Sequence, residues 1–359
     1  MNLKMQKALP FIFLLLLFWG GLGIALSATA NLGLGVSLAA LAAAYFANGR
    51  KLNMPKGHRS YLAFLAIILI SFLVRGTGIE GQYFLTLFLA GGAFWLAFYN
   101  LEKAFGEKLI NIILGLGIAF GALFVWYLGS GYVPEGGWNL YLYSSIYRNH
   151  NHLGDLWALV EVVILYKLVK SRAWYWWVLG LAGIFFLAAS LSRSAYVAFF
   201  AGAAYLAYRE KWLQKFSKIL IPALAAPVLL FMIVGLFKTT LYSRLYFAQG
   251  ILGAVKYPLG VGLGNFAKIS NEIFFLDAEA KASLAHNIVL EAVAGVGVFA
   301  VFFIFWLLSV LVDIVKRGNI LYSALFIALT ANFFFDTTYY IPAMIWLWFA
   351  LLGLAQAKR

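Results

Sequence analysis

Along the chain, apolar stretches of roughly 15 to 25 residues recur between short polar breaks, the length a helix needs to cross a bilayer. Reading each stretch to its bounding charge, Gly or Pro predicts helices near 9–27, 31–47, 60–74, 82–99 and 109–128. Further helices are predicted near 153–170, 174–191, 194–208, 218–237, 287–311, 320–335 and 338–355. No segment alternates with period two as a barrel strand would, and lipid tolerates only backbone that is bonded internally. The expected fold is therefore all-α, a polytopic transmembrane helical bundle of about 12 helices, forming a single integral membrane domain over residues 1–359.

Composition strengthens this picture. With 64% hydrophobic and 11% charged residues and a mean hydropathy of +0.90, the chain has more apolar surface than a soluble domain buries, so the lipid bilayer is its solvent. The absence of cysteine excludes disulfides, thiolate metal sites and cysteine nucleophiles. A net charge of +14 could suit nucleic acid, but the basic residues are scattered between apolar segments and report topology instead. Placing the amino terminus in the cytoplasm puts 19 of the 27 basic residues on that side and leaves eight outside, so both termini are expected inside and the span count even. The run Ala28-Thr29-Ala30 resembles a signal-peptide cleavage site, yet the preceding apolar run exceeds the usual signal core, and an uncleaved anchor is expected. Two outward loops exceed a turn, at about 129–152 and 238–286, and binding surfaces are expected there.

With the inward charges set aside, few outward polar residues remain. Arg193, in Ser192-Arg193-Ser194, sits where one helix ends and the next begins; free N–H groups and the dipole there favour an anion. An interfacial arginine reaching lipid headgroups is the alternative. Arg244 lies in the larger loop, ahead of Tyr257-Pro258-Leu259-Gly260-Val261-Gly262-Leu263-Gly264-Asn265-Phe266. Those glycines permit a tight turn, but the strand and helix context of a nucleotide fingerprint is missing. His286, followed by Asn287, stands where the loop enters a helix; its ordinary pKa suits proton transfer, and a hydrogen-bonding anchor is the alternative. Arg148, His150 and His152 open the sixth span; with Asp155 the histidines could be metal ligands, although an i, i+2 pair does not share a helix face. A polar contact to a glycan or a lipid headgroup is preferred there to a metal site, and the resemblance described below makes all three possible substrate contacts. Glu161 and Asp336 are costly inside a membrane and thus functional candidates; Asp336 falls on the outer face, where it could balance the cations.

These motifs, in this order, resemble the O-antigen ligase and polymerase superfamily. Ser192-Arg193-Ser194 opens an outer helix, an Arg follows in a large outer loop, then the Tyr257–Phe266 run, then His286-Asn287 before a Gly-containing helix. The likeness covers about Arg148 to Asp336, and His150 and His152 depart from the family pattern. The resemblance implies a C-type glycosyltransferase-like fold and a periplasmic active site in the bacterial inner membrane. It implies a metal-independent inverting enzyme without cofactor. The donor would be a glycan on undecaprenyl diphosphate, and the acceptor a hydroxyl of a glycan, lipid A core or protein; no nucleic acid is expected. Arg193 and Arg244 would bind the diphosphate, with Arg193 and His286 catalytic and Asn287 and Asp336 among the possible substrate contacts. A ligase is preferred over a polymerase that joins lipid-linked repeats. A secondary transporter is the competing class; it calls for inverted repeats and helices broken at the membrane midplane, and the sequence suggests neither.

Overall fold

A computed structural model describes residues 12, 26–75, 78–129, 150–171, 173–190, 192–211, 241–273 and 282–357. Among these every regular element is helical. In chain order they are α1 (Leu26–Ala47), α2 (His58–Arg75), α3 (Gly78–Asn100), α4 (Glu102–Gly129), α5 (His150–Ser171), α6 (Trp174–Ala189) and α7 (Arg193–Arg209). Then come α8 (Leu241–Lys256), α9 (Phe266–Ile273), α10 (Ile288–Val296), α11 (Val301–Arg317), α12 (Ile320–Phe333) and α13 (Pro342–Gln356).

Among the described residues, four helical runs can by length and composition cross a membrane: Ala28–Ala47, His58–Arg75, Gly78–Asn100 and Ile288–Arg317, the last being α10 and α11 with the short turn between them. Helices α6, α12 and α13 are apolar and shorter. The exterior is apolar as well. Leu73, Val74, Leu181 and Phe305 are each more than 60% exposed, an outer surface that water would penalise and lipid tails accept. The chain is thus a helical membrane protein.

Helix α13 forms the centre, packed against α3 and α12. Nearly every one of its residues is buried, including Trp346, Trp348 and Phe349. With apolar lipid outside, packing and satisfied polar groups hold such helices together. Trp348 accordingly donates its Nε1–H to Thr330 of α12 at 2.8 Å. Helix α7 lies between α5 and α12, while α1 packs on α3 and α11 on α2.

Several boundaries depart from expectation. Residues 28–30, read as a break before the second span, lie within α1, with Thr29 and Ala30 buried; small side chains here serve close helix packing. Helix α4 begins seven residues before the apolar run at 109, because Glu102 and Lys103 fit its first turns without ending it. The loop expected over 238–286 contains α8 and α9. The span predicted over 287–311 reaches Arg317 and is broken by a 3-10 turn at Gly297–Ala300, correcting the expectation of unbroken helices. That break follows nine residues of α10, about 14 Å of helix, and lies nearer the middle of the run Ile288–Arg317 than its end. The segments predicted at 9–27 and 218–237 lie largely or wholly outside the described residues, as does most of the 129–152 loop.

Polar contacts collect at the two ends of the bundle. At one end Lys56 pairs with Asp313 (3.6 Å), Lys170 with Glu210 (2.8 Å), and Arg209 donates to the Val315 carbonyl (2.6 Å). At the other, Ser194 reaches Asp336 (3.0 Å), Asn287 the Phe334 carbonyl (3.0 Å), and Arg75 the Leu259 carbonyl (3.2 Å). Each pair joins residues that strict alternation of the spans places on the same side.

Candidate functional site

The second end holds the chemistry that the sequence singled out. Ser192 caps α7: its Oγ accepts from the Ala195 N–H at 3.3 Å and lies 3.1 Å from Ser194 Oγ. Arg193 is then the first residue of a 17-residue helix, exposed and without an ion pair among the described residues. Gly154 of α5 makes room for this corner. A Cβ there would stand 2.6 Å from Ser190 Oγ and 2.7 Å from Ser192 Cβ.

Asp336 ties the corner to the carboxyl end of α12. Its Oδ2 accepts from Ser194 and its Oδ1 from the Thr337 N–H at 2.6 Å. The expected charge balance is therefore corrected in detail: Asp336 makes no ion pair with Arg193 and is held by hydroxyl and amide donors, because Ser194 faces inward and Arg193 outward on successive helix positions. Asp155 is buried beside it and accepts from Asn332 Nδ2, whose Oδ1 in turn accepts from Thr338. That commits one oxygen of Asp155 to a structural network. Among the described residues no three His, Asp or Glu side chains gather to hold a metal ion.

His286 lies on the turn leading into α10. Its φ of +53° is left-handed, a conformation costing a non-glycine residue about 1–3 kcal/mol. The neighbours on both sides hold it there. Asn287 caps α10 by accepting from the N–H groups of Val289 and Leu290 (2.9 and 3.0 Å) while donating to the Phe334 carbonyl. Glu291, one turn into α10, accepts from the Ala285 N–H at 2.9 Å and from the Tyr339 hydroxyl at 3.2 Å. Burial pushes the His286 pKa below its ordinary value, and the negative charge of Asp336 partly opposes this. Replacing Asn287 by Ala should cost about 1–2 kcal/mol through the lost cap and the lost bond to α12. A lowered thermal midpoint in detergent, with intact helical content, checks this.

The glycine-rich run seats itself on the break between α10 and α11. A broken helix leaves carbonyls without intrahelical donors, and Val261 and Gly262 donate to the Ala294 and Gly295 carbonyls, both at 2.8 Å. Val298 N–H returns a bond to the Pro258 carbonyl at 2.8 Å. Gly260 and Gly297, both at positive φ, allow the two backbones to touch. The run thus forms the tight turn that its glycines permit. Beyond it, Glu272 of α9 accepts from Lys256 at 2.9 Å and from Tyr257, so hydrogen bonds hold its carboxyl below the usual range.

The structure thus brings together Ser192, Arg193 and Ser194, Asp336, and His286 with Asn287. Arg244 is placed only by its backbone, on α8, which packs against α10; its side chain, like those of His150 and His152, lies outside the described residues, and so does Arg148. Glu161 is elsewhere, buried on α5 against Gly183 of α6. Sequence reasoning passed over Glu291, Asn332 and Thr338. Glu291 was detectable: a carboxylate in an otherwise apolar helix carries the same signal as Glu161 and Asp336. Comparison of the chain with protein-family models, curated proteins and solved structures finds no match.

Proposed function

We propose that the chain is a membrane glycosyltransferase of the O-antigen ligase type, moving a glycan from undecaprenyl diphosphate to an acceptor hydroxyl on the periplasmic face of the inner membrane. The observation that carries this reading is Asp336, which bonds to the Arg193 helix corner and acts electrostatically on His286. An arginine at a helix amino terminus and an imidazole thereby share one end of the bundle. The excess of basic residues on the other side supports that end as the outer one.

In this reading Arg193, with the first-turn N–H groups of α7, and Arg244 bind the diphosphate. A guanidinium offers paired donors to phosphate oxygens and neutralises the charge that builds on the leaving group. His286 accepts the proton of the acceptor hydroxyl. That oxygen attacks the anomeric carbon from the face opposite the diphosphate, the carbon–oxygen bond breaks, and undecaprenyl diphosphate leaves with the electron pair. Inversion follows from a single displacement.

Purified protein in liposomes, given a lipid-linked glycan with and without lipid A core, tests this. A ligase yields one product of increased size only when core is present. A ladder formed from donor alone identifies a polymerase, and the absence of both products overturns the transferase reading. The broken helix at Gly297–Ala300 favours a second reading, a secondary transporter, since transporters build sites at helix breaks. Uptake of substrate without glycosyl transfer in the same liposomes supports it.

A further inference from the structure

At the end of the bundle away from His286, the ends of α2, α5, α7, α11 and α13 enclose a cavity of about 980 Å³. Such a volume lies at the upper limit of small-ligand sites, roughly 300–1,000 Å³. Five Lys and Arg side chains line it against two carboxylates, Glu210 and Asp313. The carboxylates are already engaged, with Lys170 and Lys56 respectively. Arg209 is also committed, to the Tyr205 hydroxyl and to carbonyls of α11. Arg59 and Arg317 are left: both line the cavity, both are exposed, and neither makes an ion pair among the described residues.

The cavity is not merely a charged mouth. It follows one stripe of α11, through Phe305, Ser309, Asp313 and Arg317, a separation of twelve residues or about 18 Å. Phe305, at its apolar end, is 63% exposed. Helical spacing makes it continuous with Val301, Leu308 and Val312, which are exposed at 57%, 57% and 47% on the outer face. The site is therefore cationic at one end and leads onto a bilayer-facing apolar stripe at the other. That is the shape of an amphiphile with an anionic head. Loop charge set by topology alone explains basic residues at this end, but not two guanidinium groups without an ion pair among the described residues in a cavity continuous with an exposed apolar stripe.

We propose that this cavity binds the phosphate headgroup of an anionic phospholipid at Arg59 and Arg317, its acyl chain lying along the Phe305 stripe. The assignment rests on the membrane solvent and not on glycan transfer. Full-length protein in detergent is titrated with phosphatidylglycerol, phosphatidylcholine and inorganic phosphate, and bound lipid is counted by native mass spectrometry. Phosphatidylglycerol is expected to bind at least about tenfold tighter than phosphatidylcholine. Combining Arg59→Gln with Arg317→Gln weakens it by about 30-fold, and the double lysine variant recovers most of the loss. Both side chains are exposed, so the lipid-free thermal midpoint stays unchanged. Equal binding of phosphatidylcholine, or undiminished binding by the glutamine variant, overturns the proposal. Inorganic phosphate binding as tightly as phosphatidylglycerol assigns the site to a soluble anion and overturns it equally.

Discussion

In the proposed transferase, replacing His286 by Ala is expected to lower glycan transfer by about 10²- to 10⁴-fold, the usual contribution of a positioned proton acceptor, while membrane insertion and thermal midpoint hold. Replacing Arg193 by Ala lowers it by about 10²- to 10³-fold, as loss of a charge-stabilising donor does. Arg193→Lys recovers only part, since a point charge does not reproduce the paired donors. The pH profile adds a readout that a structural role would not move. A base works when neutral, so transfer is constant at high pH and falls as the imidazole gains its proton. Burial lowers the His286 pKa from its ordinary 6.5, so that fall lies below pH 6.5. Asp336 opposes the lowering, and Asp336→Asn therefore moves the fall to still lower pH. A fall centred above pH 6.5, or the same profile in the Asp336 variant, removes His286 from the role of base.

The largest effect on folding is expected at Gly297. A Cβ there would stand 2.0 Å from the Pro258 carbonyl oxygen, and the residue's φ is +60°. Backbone cannot move aside as a side-chain tip can. Strain and overlap together should cost about 3–5 kcal/mol, enough to abolish much of the folded population. Gly297→Ala should accordingly reduce the yield of monodisperse protein sharply and lower its thermal midpoint. Gly115→Ala on α4, where a Cβ meets nothing within 4 Å, is the control and leaves both unchanged. Equal behaviour of the two variants sinks the argument that the glycine-rich run and the α10–α11 break are built for each other.

The helices were legible because lipid imposes one constraint on every spanning segment, and apolar length reports it directly. Segments such as 82–99 and 320–335 differ from α3 and α12 by no more than four residues at either end. The break at Gly297 was not legible. Gly295 and Gly297 lie in a continuous apolar run, and glycine is common in membrane helices that do not break. Only the partner run, some 35 residues earlier, supplies the donors that make a break tolerable. Similarly, Ser194 and Asp336 could each be placed at one end by counting spans, whereas their hydrogen bond depends on how α7 and α12 pack, which no local pattern encodes. Glu291 shows a different omission. The histidine stands out at the loop edge, while the carboxylate that holds its turn lies in the following helix.

The bond between Ser194 and Asp336 spans 142 residues, and that between Asp155 and Asn332 spans 177. At synthesis rates of roughly 5–20 residues per second, the later partner of Ser194 emerges about 7 to 28 seconds after it. During that interval the polar corner of α5 and α7 waits in the bilayer without the residues that satisfy it. The carboxyl-terminal hairpin is thus the closing step of biogenesis: a chain released before it is made carries Arg193 and His286 yet has neither Asp336 nor the central helix α13.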